Sequence, residues 1–199
     1  MFSIVKLPTT LGWKSMSDKV RSLSLVFLLL VLISLPFLQD RVNLEAAKFV
    51  SDNESAHNGL PIEWNDKQVI CIFFPLDHPH TEFSSGVTMI GPDGVVIGVN
   101  DDLNSSGACV GGFFGYEDGM EFMMDATRAA GGKLAVGYKT NPNWGEWVHT
   151  IGGLNENEIQ GDFNGAYWSL LHNGGYSMVG IGNLVMSEGD VISWEIATW

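Results

Sequence analysis

Gly165–Trp199 reads GAYWSLLHNGGYSMVGIGNLVMSEGDVISWEIATW. Tyr167-Trp168-Ser169-Leu170-Leu171 and Val191-Ile192-Ser193-Trp194-Glu195-Ile196 alternate as half-buried strands do, and they are rich in aromatic and β-branched residues. His172-Asn173-Gly174-Gly175 after the first run is a hairpin turn signal. Glu188-Gly189-Asp190 before the second run is another tight turn. Two strands at the end of a chain need a sheet to join, so the residues before them should supply it.

Working back, Glu117–Ala130 (EDGMEFMMDATRAA) is the one convincing helix. Acidic residues crowd its start and Arg128 sits near its end, matching the helix dipole. Met120, Met123, Met124 and Thr127 or Ala130 recur at helical spacing as a core-facing stripe, and Gly131-Gly132 stop the helix. Lys133–Tyr138 and Trp147–Ile151 read as strands, with Asn155–Gly165 a polar acidic loop. Lys67–Pro75 (KQVICIFFP) is dense in β-formers and is the expected first strand. Val87–Ile90, Gly91-Pro92-Asp93-Gly94 and Val95–Val99 spell strand, turn, strand, and Asn100–Gly115 reads as a long loop rich in Gly, Asn and Ser. One helix laid over a sheet is a stable two-layer solution of the α+β class.

The order and identity of Tyr167, Trp168, Asn173, Gly174, Gly180, Gly189, Asp190 and Trp194 resemble the transcobalamin-like C-terminal domain family, a β-grasp module. The resemblance runs from Gly119 to Trp194, with Lys67–Pro75 as first strand. It implies a β-grasp-like mixed sheet with one packed helix. Similar domains occur on microbial surface proteins without an assigned ligand. In cobalamin carriers such a domain forms one side of a sandwich around the corrinoid, and a large helical domain forms the other. This chain has no room for that helical partner. Corrinoid binding here would therefore call on a second protein or a shallow site.

The start of the chain is not domain-like. Leu23–Leu38 is a nearly unbroken apolar run, preceded by Lys14, Lys19 and Arg21 and followed by Asp40. Positive charge before such a run marks an export signal or a signal anchor, which places the residues beyond it outside the cytoplasm. The expected organisation is residues 1–40 as leader and membrane anchor or cleaved signal, 41–66 as a polar stalk, and 67–199 as the folded domain. Residues after Asp40 hold six basic and twenty-one acidic side chains, a net of −15. So acidic a surface excludes non-specific binding to nucleic acid or anionic lipid, and charged partners should be cationic.

Cys71 and Cys109 are the only cysteines. In an exported chain they most simply form one disulfide, with a pair of buried thiols as the alternative. Asn53-Glu54-Ser55 and Asn104-Ser105-Ser106 are glycosylation sequons. Asp77, His78 and His80 offer ligands a borderline metal favours, yet no further ligand is evident nearby and an exposed turn explains them as well. Asn155, Glu156, Asn157, Glu158 and Asp162 could offer oxygens to calcium, but the spacing fits no EF-hand loop. No GxSxG elbow or HExxH is present, and the chain is expected not to be an enzyme. Trp144, Trp147 and Tyr176, with Asn173 and Gly174 beside the last, are the candidate ligand-binding residues, because an exposed aromatic next to glycines stacks flat ligands. The expected function is an exported binding module for a small ring-shaped ligand, a corrinoid by resemblance. The alternative is a cell-surface protein or glycan interaction module that works through a sheet edge.

Overall fold

The computed structural model describes residues 56–75, 83–101, 105–142 and 145–199. The leader, residues 41–55 of the stalk, both sequon asparagines, Asp77, His78, His80 and Trp144 lie outside them. Among the described residues no helix is long and apolar enough to cross a membrane.

Ten strands and one α-helix among the described residues build an α+β fold. The strands are β1 (Gln68–Phe74), β2 (Val87–Ile90), β3 (Val96–Asn100), β4 (Ser106–Phe113), β5 (Val136–Asn141), β6 (Gly145–Ile151), β7 (Leu154–Asn155), β8 (Ala166–His172), β9 (Gly175–Tyr176) and β10 (Val191–Thr198). The helix, α1, spans Gly119–Ala129. Seven strands form a mixed sheet in the order β3-β2-β4-β1-β10-β8-β9, and β5-β6-β7 form a smaller one. The first and last strands lie side by side in the middle, β1 parallel to β10 with Ile70 opposite Ile192. β10 then pairs antiparallel with β8, setting Trp194 opposite Leu170 and Trp168 opposite Ile196.

α1 starts where Asp118 accepts a hydrogen bond from the Glu121 N–H (2.8 Å), satisfying one of the free donors of the first turn. Its stripe of Phe122, Met123, Ala126 and Thr127 is buried. The apolar members of that stripe meet Ile70, Ile72, Val110, Trp168, Ile192 and Trp194 of the large sheet and Val148, Ile151 and Leu154 of the small one in a single core. Each fully buried Phe, Met or Ile contributes up to about 1.5–3 kcal/mol. The opposite face of the large sheet holds a smaller cluster of Trp64, Val69, Cys71, Val87, Met89, Cys109 and Val191. The Cys71–Cys109 disulfide joins directly opposed residues of β1 and β4 inside it.

Two expectations change. Residues 106–113, read as loop, form β4, an interior strand between β1 and β2. Ser-Gly-Ala-Cys-Val-Gly-Gly looks like a linker, but the small residues serve close packing: a Cβ on Gly111 would stand 2.5 Å from the Trp64 ring. The same contact revises the stalk, since Trp64 is buried with Ala56 and Leu60 packed beside it. Residues 56–66 are therefore part of the folded body.

Gln68 ties the layers together from a fully buried position at the start of β1. Its Nε2 donates to the carbonyls of Tyr116 (2.7 Å) and Ser187 (3.0 Å), and its Oε1 accepts from the Tyr116 N–H (3.1 Å). One side chain thus fixes both the entry to α1 and the loop that enters β10.

Candidate functional site

Alternation along β8 sends Trp168 and Leu170 into the core and Tyr167, Ser169 and Leu171 to the other face. In register with them on β10, Ser193, Glu195 and Ala197 share that outer face. The ladder continues one pair beyond the strands: the Trp199 N–H donates to the Gly165 carbonyl (3.1 Å), and the Asn164 N–H donates to the Trp199 carbonyl (2.7 Å). The Trp199 indole lies across Gly165, where a Cβ would come within 2.2 Å of the ring. A side chain at 165 would push the indole off.

Three rings succeed one another along this edge. Trp147 of β6 and Tyr167 have centroids 6.4 Å apart, and Tyr167 and Trp199 are 5.7 Å apart. Both spacings fall in the range aromatic pairs prefer. The outer rings stay open to solvent, Trp147 at 47% and Trp199 at 63%. The Trp147 Nε1–H donates to Glu156 Oε1 (3.0 Å), which fixes the tilt of that indole. Asn155 Oδ1 is occupied locally, accepting from the Asn157 N–H at 2.9 Å. Among the described residues no three His, Cys, Asp or Glu side chains converge on a point that could hold a metal ion.

Tyr176 is 67% exposed and stands opposite Leu171 on β9, on the same face of the sheet as Tyr167. Its hydroxyl donates to Glu195 Oε1 (3.4 Å). The charge of Glu195, and then this hydrogen bond, raise the Tyr176 phenol above its ordinary value, so it stays protonated well past neutrality.

Asn173 and Gly174 do a different job. Asn173 takes a left-handed backbone (φ 50°), which asparagine tolerates better than most residues. Its Nδ2 donates to Asp190 Oδ1 (2.8 Å), and its Oδ1 accepts from the Val191 N–H (2.8 Å). Asp190 Oδ2 also meets His172 Nε2 (2.9 Å) and accepts from the Ser187 N–H (2.7 Å). Burial pushes the Asp190 carboxyl up, but the bonds from His172, Asn173 and Ser187 together outweigh it and hold the group below its usual value. This latch clamps the β8–β9 turn to the start of β10. It is the structural content of the Asn-Gly and Gly-Asp spellings.

Of the candidate rings, Trp147 and Tyr176 are thus placed on exposed surface, and Trp144 lies outside the described residues. Tyr167 and Trp199, which the sequence did not single out for the site, join them there. The available signal was parity: once Trp168 faces the core, Tyr167 faces out, and a register continued to Trp199 brings that indole beside it.

Residues 121–198 match the model of a domain of unknown function, DUF4430. No protein of curated function matches the chain. Among solved structures, a Ruminococcus gnavus protein to which metal binding is ascribed aligns at a TM-score of 0.38 and 12% identity, over 57% of this chain and 94% of that one. Haptocorrin in complex with Cbi aligns at a TM-score of 0.36 and 14% identity, over 66% of this chain and 25% of that one. Both scores are too low for either likeness to assign a ligand.

Proposed function

We propose that this chain is an exported, non-catalytic binding module of β-grasp type, tethered to a membrane or secreted, that holds a small ring-shaped ligand on its aromatic edge. The observation that carries the reading is the run Trp147, Tyr167, Trp199, in which successive rings meet at tilts of 31° and 48° and both outer rings are open to water. Rings held by a ladder, a glycine seat and a carboxylate lose little freedom when a flat ligand stacks on them. Tyr176 extends the same face toward Glu195 and adds a hydroxyl for orientation. A corrinoid is the ligand that the spelling of the closing strands suggests, through their resemblance to the transcobalamin-like domain.

Export rests on the charged-then-apolar leader and agrees with the Cys71–Cys109 disulfide. The non-catalytic assignment rests on how the titratable groups are used. The His172–Asp190 pair resembles half of a catalytic triad, yet its bonds go to Asn173 and Ser187 within the turn latch.

Equilibrium dialysis of the full chain against cobalamin, cobinamide and a flat aromatic dye tests the reading. Retention of at least one of them, lost on Trp147→Ala, supports it. Retention of none at millimolar ligand overturns it.

A further inference from the structure

The far edge of the large sheet poses a separate question from the aromatic strip. β3 reads Val-Ile-Gly-Val-Asn after Val95, a nearly continuous apolar run of the kind found in strands covered on both faces. It sits instead at the end of the sheet, with β2 on one side and no strand on the other among the described residues. Val95, Val96, Ile97 and Val99 are each at least half exposed, whereas every residue of β2 is buried. A groove of about 520 Å³ runs beside β3, with Leu60, Pro61, Trp64, Met89, Ile97 and Val99 among its walls.

Edge strands are normally protected by lysine, proline or a covering segment. β3 carries no charge, and its one irregularity is the extra residue Ile97 between the pairs Met89–Gly98 and Ile90–Val96. The charges that flank the strand in sequence or line the groove are acidic: Asp93 precedes the strand, Asp101 comes after it, and Glu63 lines the groove. From Gln68 to Thr127 the chain holds no Lys or Arg. A second copy pairing through β3 would set these carboxylates against one another.

We infer that β3 is a docking edge for an extended, cationic segment of another protein, which adds as a further strand. Its backbone would take up the outward N–H and C=O groups of β3, apolar side chains would cover Val96, Ile97 and Val99, and Lys or Arg would reach Asp93, Asp101 and Glu63. Strand addition of this kind gains affinity from the main chain and specificity from side chains and charge.

The test uses the full-length chain in detergent and two short capped peptides, one alternating Lys with Val and Thr, the other with Glu in place of Lys. The Lys peptide should bind about tenfold or more tighter at low salt, and added salt should weaken it. Amide shifts should concentrate at Val96, Ile97, Gly98 and Val99. Val99→Lys and Asp101→Lys, both at exposed positions, should each weaken binding about fivefold with unchanged thermal melting. Equal affinity for the two peptides overturns the inference, as do shifts that avoid β3. Self-association of the wild type that Val99→Lys abolishes also overturns it, by making a second copy the occupant.

Discussion

The two faces of the β8–β10 ribbon use the same residue types to opposite ends. On the inner face Trp168 and Trp194 are buried against α1 and the small sheet. On the outer face Tyr167 and Trp199 meet each other, and Tyr176 meets solvent and the Glu195 carboxylate. Both sets obey a period of two, so alternation alone assigns the face and not the role. What separates them is what lies opposite: a helix on one side, and on the other a glycine seat and open water. Aromatic surface held in place without being covered is the physical basis for reading the outer face as a ligand platform.

The contrast breaks most visibly at Trp168. Trp168→Ala should destabilise the fold by about 3–5 kcal/mol, through a core cavity and the loss of the Nε1–H bond to the Leu154 carbonyl (3.2 Å), measured by urea unfolding. A loss under about 1 kcal/mol would mean that the inner face is not packed as described. Gln68→Met should come next, at about 2–3 kcal/mol, because the Tyr116 and Ser187 carbonyls and the Tyr116 N–H lose their buried partner.

The latch between the two strands adds a pH dependence. The Asp190 carboxyl is depressed in the folded state. Its contribution is therefore complete above the unfolded aspartate value of about 3.9, and it is lost as pH falls through the lower folded value. Wild-type protein should lose more stability than Asp190→Asn between mildly acidic and strongly acidic pH. Identical acid profiles would show that the latch carboxylate is not engaged in the folded protein. The smallest expected effect on folding is at Trp199: Trp199→Ala should shift stability by no more than about 0.5–1 kcal/mol, since most of that indole faces water.

These differences also explain what could be read from the sequence. α1 was legible because Asp118, the helical recurrence of apolar residues and Gly131 agree on one helix, although the buried stripe runs through Phe122, Met123, Ala126 and Thr127 and leaves Met120 and Met124 half-buried. The closing strands were legible because their aromatics alternate. β4 was not, because Gly107, Gly111 and Gly112 carry the composition of a loop while serving the approach of β1 and Trp64. The packed Ala56–Trp64 segment was missed for a related reason: its sparse apolar residues have no period, and Trp64 finds its place only against β4. At the candidate site, Trp147 and Tyr176 could be singled out as aromatics near turns. Their neighbours Tyr167 and Trp199 come together by register across more than thirty residues, which no local pattern encodes. Asn173 reads as a loop residue beside a ligand, yet its amide is committed to Asp190 and Val191.

Tryptophan fluorescence of the full chain titrated with cobalamin, compared between wild type and a Trp147→Ala, Trp199→Ala double variant, tests the platform most directly. A working platform predicts saturable quenching in the wild type that the double variant loses while its unfolding midpoint stays close to the parent's. Quenching of equal size in both proteins, or none in the wild type at millimolar cobalamin, would contradict it.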